Sequence, residues 1–161
     1  MPEQIKLNPY EASLIETMLP LSTTDMWEQA KKEWYLTHIE EGAGSCACGK
    51  NPIKYLCFLK NKETRKEVVV GSTCASKYLS IYTDLLFKDL AILAGEKRAY
   101  LSEQSLRITY DLQYINDWEY GFYIDVKCKW DIDNLSEKQR KIIDRIHGQV
   151  AKIIKPKEAA P

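Results

Sequence analysis

Four cysteines, Cys46, Cys48, Cys57 and Cys74, have the spacing C-x-C-x8-C-x16-C within one stretch of the chain. Zinc takes four tetrahedral ligands, and four thiolates make a closed structural site with no open position for water. Cys46-Ala47-Cys48-Gly49 has the form of a tight knuckle whose two sulfurs aim at one centre, with Gly49 tolerating the turn. Cys57 shares a strand face with Ile53, Tyr55 and Leu59, so it can point toward that knuckle. Cys74 falls in the first turn of a helix capped by Ser72, where unpaired N–H groups and the positive helix end favour a thiolate. The spacing therefore predicts a structural Zn2+ site with Cys46, Cys48, Cys57 and Cys74 as ligands. Iron on the same thiolates is the competing metal, and Cys128 and His38 compete for the place given to Cys57.

Positioning those sulfurs requires a hairpin and then a helix. Residues 53–60 and 67–70 are β-forming runs around the polar turn Asn61-Lys62-Glu63-Thr64-Arg65-Lys66. Gly71-Ser72 supplies a bend and an N-cap for one long helix. Its inner face is Tyr78, Leu79, Tyr82, Leu85, Leu86 and Leu93, and its stop is Gly95. Upstream, Asn8-Pro9-Tyr10-Glu11 starts a helix with Ala12, Ile15, Met18 and Leu19 on one face and Pro20 as terminator. A second helix is expected from Thr24-Asp25, with Glu28 completing a capping box and Trp27, Ala30 and Trp34 as its apolar stripe. Residues 41–45 read as a flexible lead-in to the finger.

Beyond Ser102 two periods compete, and periodicity alone favours the strand. Tyr120, Phe122, Ile124, Val126, Cys128 and Trp130 alternate as in a strand, whereas Trp118, Phe122 and Val126 share a helical face behind Asn116-Asp117. Ser136-Glu137 opens a final helix with Ile142, Ile143, Ile146 and Val150 facing inward. These readings divide the chain into N-terminal helices (1–40), a four-cysteine finger (41–80), a C-terminal helical region (81–155, with a strand at 118–130 as the alternative) and a tail (156–161).

The totals narrow the class of protein. A chain of 161 residues with 45% hydrophobic and 11% aromatic content has the composition of a folded domain. No apolar run reaches the length needed to cross a bilayer, and the N-terminus lacks the layout of a secretion signal, so a reducing, cytoplasmic setting is expected. Five cysteines is an odd number, which argues against a closed disulfide framework, and Cys128 reads as a small buried hydrophobe. Formal charge sums to zero, yet residues 41–80 hold seven Lys or Arg against three Glu, and residues 81–136 hold six against ten acidic groups. That field is weaker than a dedicated duplex-DNA binder presents.

The pattern Glu33-Trp34-x3-His38-Ile39, Cys46-x-Cys48-Gly49-x2-Pro52-Ile53, x3-Cys57, Asn61, Thr64 and Val70-Gly71-x2-Cys74 resembles a set of short, poorly characterised zinc-finger proteins of bacteria, their phages and giant viruses. Trp118-Glu119-x2-Phe122 and Leu135-Ser136-x-Lys138-Gln139 are similar to the segment downstream of the finger in that set, so the resemblance covers roughly residues 27–150. It implies zinc, a mixed helical body and a helix at 117–130, and it implies no catalytic residues. Gly121, Asp131 and Asp133 depart from what a regular helix there would use. The expected fold is α+β, a small zinc-bound hairpin finger of treble-clef-like form embedded in a mainly helical body.

Function is expected to be binding. Lys50, Lys54, Arg65, Lys66 and Lys77 surround the finger with Tyr55, and cations beside a ring that can stack on bases suit nucleic acid. The alternative is a protein-protein adaptor or inhibitor that uses zinc only for structure, with acidic stretches at 1–40 and 81–136 docking on a basic partner. An enzyme is disfavoured: no histidine lies within residues 41–80, and a P-loop, nucleophile elbow and dinucleotide fingerprint are absent from the sequence. His38 and His147 read as ordinary surface or core residues.

Overall fold

The computed structural model describes residues 8–95 and 98–155, so the expected tail lies outside the described residues. The fold is α+β, and the chain divides into two compact units, one reaching Ile81 and the other spanning Tyr82–Lys155.

In the first unit, α1 (Pro9–Met18) begins where Asn8 accepts a hydrogen bond from the Tyr10 N–H at 2.8 Å. It buries Leu14 and Met18, a narrower stripe than the sequence suggests, and ends in a 3-10 turn at Leu19–Leu21. The expected second helix is a correction. α2 is only Trp27–Ala30, succeeded by a 3-10 turn at Lys31–Glu33, and Trp34 opens the strand β1 (Trp34–Gly44). The expected cap is displaced: the N-cap is Met26, whose own side chain makes no capping bond, while its N–H donates to Thr24 Oγ1 at 3.2 Å. The spacing of Trp27, Ala30 and Trp34 imitates a helical stripe, but the segment from Trp34 through Ile39 is rich in aromatic and β-branched residues that suit a pleated surface. Trp34 is buried, and its ring N–H donates to Ser22 Oγ at 3.1 Å. The supposed lead-in at 41–45 is largely the end of this strand.

β1 pairs antiparallel with β2 (Ile53–Asn61), which pairs antiparallel with β3 (Glu67–Val70), as the hairpin signals require. β1 runs through the boundary expected at residue 40 and pairs with β2 on its far side. A buried layer of Ile39, Cys57, Leu59, Val68 and Val70 runs across the three strands.

The single long helix expected after Gly71 is two helices, α3 (Ser72–Leu79) and α4 (Thr83–Ala94). Ser80 takes a left-handed conformation, φ 56°, which stops α3 just before the second unit begins.

The second unit is built from α4, α5 (Glu103–Asp111), α6 (Asp117–Lys129), α7 (Glu137–Ala151) and the two-residue strand β4 (Ile154–Lys155). Helix α6 settles the competition of periods at 118–130. Asn116 and Glu119 form a capping box, and the buried face is Glu119, Tyr123 and Val126, while Trp118 and Phe122 stack on each other outside. The strand-like alternation is coincidental, since Cys128 and Trp130 are exposed. A Cβ on Gly121 would meet nothing within 4 Å, and Asp131 and Asp133 lie past the helix end, where Asp131 Oδ1 accepts from the Asp133 N–H. Helix α7 carries the expected Ser136 cap, paired with Gln139, and buries Ile143, Ile146 and Val150. Among the described residues no helix is long and apolar enough to cross a membrane.

Candidate metal centre

The knuckle closes as its residues dictate. Gly49 adopts φ 96°, a conformation that side-chain-bearing residues rarely take, and its N–H donates to the Cys46 carbonyl at 2.9 Å. The Cys46 N–H in turn donates to the Lys50 carbonyl at 2.9 Å. Two further bonds fix the knuckle in place. The Ala47 N–H donates to the Val69 carbonyl of β3 at 2.9 Å, and Thr17 Oγ1 of α1 donates to the Ala47 carbonyl at 3.2 Å. Across from the knuckle, Gly71 begins α3 and puts Cys74 in its first turn, although Gly71 rather than Ser72 occupies the cap position.

These constraints bring three sulfurs together. The Sγ atoms of Cys46, Cys48 and Cys74 all lie within 4.8 Å of one another, all three residues are buried, and the group could hold a metal ion. The Cys48 N–H donates to Cys46 Sγ at 3.4 Å. The Cys46 thiol is pulled down to about 5, first by its hydrogen bond with Cys74, with help from the backbone N–H groups of Cys48 and Gly71. Cys74 is pushed the other way, first by that same bond to Cys46 and then by burial. Burial likewise raises Cys48. Crowding thus opposes ionising all three sulfurs together, and a bound cation would offset that repulsion.

Cys57, the fourth expected ligand, lies outside this three-sulfur group. Period two assigns it correctly to the buried face of β2 but at the wrong distance along the strand. The strand residues that line the recess beside the three cysteines are Ile53, Lys54 and Tyr55. At about 3.3 Å of rise per residue, Cys57 stands about 7 Å beyond Tyr55. There it is fully buried, with Ile39 and Val70 as its cross-strand partners. Neither competitor takes its place. His38 stacks on Phe58 with ring centroids 4.1 Å apart, and Cys128 is exposed rather than buried. Among the described residues, the group close enough to share an ion is therefore Cys46, Cys48 and Cys74.

Beside the sulfurs lies a recess of about 190 Å3 lined by Lys50, Lys54, Tyr55, Ser72 and Thr73 among others. Lys54 Nζ sits 5.2 Å from the Tyr55 ring centroid. Three of the expected binding residues are thus gathered at the cysteines. Arg65 and Lys66 are not among them: they occupy the turn at the opposite end of β2, about 25 Å away along the strand. Lys77 is exposed on α3, with its ammonium 5.4 Å from the Tyr78 ring. Ser72 and Thr73 are not foreseen as lining residues because a helix start reads as capping chemistry rather than as a wall.

Comparison with protein-family models, with curated proteins and with solved structures finds no match to this chain.

Proposed function

We propose that Cys46, Cys48 and Cys74 hold a structural zinc ion and that the finger so stiffened is a non-enzymatic module binding single-stranded nucleic acid. The donor set fits the metal: thiolates about 2.3 Å from a tetrahedral zinc lie about 3.8 Å apart, within the reach of these three sulfurs. Zinc would neutralise the thiolates and tie the knuckle to the start of α3, and in this reading it supplies rigidity, not chemistry. The observation that carries the nucleic-acid reading is the recess itself. It places Lys50 and Lys54, both exposed, around the half-buried ring of Tyr55, one surface offering charge for a phosphate and a face for a base. A reducing, cytoplasmic setting and work beside phage or mobile-element replication, repair or defence belong to the same proposal.

A protein partner is the second reading, favoured by Trp118 and Trp130, which are 61% and 49% exposed on and just after α6. Binding of a single-stranded oligonucleotide at stepped salt concentrations separates the two. Nucleic-acid binding predicts affinity falling with salt, and a loss of about tenfold in a Lys50→Glu, Lys54→Glu double variant. It also predicts little change in an Arg65→Glu, Lys66→Glu variant at the far end of β2. Affinity indifferent to salt, or equal losses in both double variants, contradicts the recess as the binding surface. A stoichiometric protein recovered after nuclease treatment moves the assignment to the second reading.

A further inference from the structure

The second unit contains a cavity that the metal centre does not explain. It has a volume of about 320 Å3, and its walls come from the end of α4, the segment after it, the 3-10 turn at Ile132–Asn134 and the first three turns of α7. That size lies at the lower end of small-molecule sites. Its lining divides by chemistry. Leu135 and Ile143, both buried, form an apolar wall with Leu93 and Ile132, while Arg98, Arg140 and Asp144 supply charge.

Arg140 is the unusual member. Its Nε is buried and has no hydrogen-bond partner, the only such side-chain atom among the described residues. Buried polar groups are nearly always paired, and a guanidinium offers its donors as a planar fork matched to an oxyanion. Asp144 stands one turn further along α7, yet no ion pair joins it to Arg140 among the described residues. Arg98 is exposed at the mouth. His147 closes another side, but its Nε2 is engaged by the Tyr123 hydroxyl at 2.7 Å, and that hydroxyl also accepts from the Leu101 N–H at 2.6 Å. Burial favours the neutral form of His147. Among the described lining residues, two guanidinium groups against one carboxylate leave a single net positive charge.

The geometry points to a binding site for a small monoanion with an apolar body, a carboxylate on a ring or branched chain, held by Arg140 inside and Arg98 at the mouth. A dianion such as phosphate would leave one charge uncompensated beside Asp144 and would leave the apolar wall uncovered. The site is independent of the cysteines and of the nucleic-acid reading.

The test is a titration of the full chain with benzoate, read by two-dimensional amide NMR, with inorganic phosphate as the comparison anion. Saturable shifts centred on Leu135, Ile143 and His147 are expected with benzoate. The apparent Kd should rise by about tenfold in Arg140→Met, which keeps the apolar stem but removes the fork. Arg98→Gln, at an exposed position, should weaken binding severalfold without disturbing the fold, and so holds the proposal to account if Arg140→Met misfolds. Absence of saturation, unchanged affinity in Arg98→Gln, or phosphate binding as tightly as benzoate would overturn it.

Discussion

The side-chain amide of Asn61 donates to Glu33 Oε1 at 3.3 Å, joining the end of β2 to the turn that precedes β1. Around this bond the hairpin turn is tied down from several directions. Asn61 Oδ1 accepts from the N–H groups of Glu63 and Thr64 at 2.8 and 3.0 Å, and the Lys62 N–H donates to the Glu33 carbonyl at 2.8 Å. Thr64 Oγ1 reaches the Leu21 carbonyl at 2.7 Å, and Glu33 Oε1 also accepts from the Thr23 N–H at 3.0 Å. Asn61 is fully buried, so no water stands ready to replace its bonds. Its short amide is what lets a polar turn end a strand and anchor the N-terminal segment at once.

Asn61→Ala removes three side-chain hydrogen bonds at a buried point and is expected to destabilise the first unit by about 2–4 kcal/mol. Chemical denaturation of the variant checks this. A loss of less than about 0.5 kcal/mol would mean that the turn is held by the strands alone.

Glu33 makes the same network sensitive to acid. Its carboxyl is held below the ordinary value of 4.5, chiefly by the Thr23 N–H, with smaller contributions from the Thr23 side chain and from Asn61. A carboxyl depressed in the folded state adds stability that is present above the unfolded value and lost as pH falls through the folded one. Stability should therefore decline as pH drops below about 4.5, and Glu33→Gln, which keeps an acceptor oxygen but cannot titrate, should flatten that decline. Parallel pH profiles for the two proteins would show that Glu33 plays no part in it.

What could be read from the residues alone was local chemistry. The hairpin, the knuckle and the caps at Asn8, Asn116 and Ser136 are each set within a few positions, and each is found where those positions say. β1 was hidden because Trp27, Ala30 and Trp34 carry a helical spacing by accident. The break between α3 and α4 was hidden because a serine, not a glycine, takes the left-handed position at residue 80. Cys57 shows the limit most directly. Alternation tells which face of a strand a side chain occupies but not how far along the strand the metal would sit.

Three sulfurs sharing one ion are the centre of the proposed structure, and metal content measured on the purified full chain and its cysteine variants tests them most directly. One zinc per chain is expected in the native protein and in Cys57→Val, whose side chain suits an apolar layer. Cys48→Ser and Cys74→Ser should each lose the metal and, with it, much of the folded signal of the first unit. A native chain that carries no metal, or a Cys57→Val variant that loses it while Cys74→Ser retains it, would contradict the assignment.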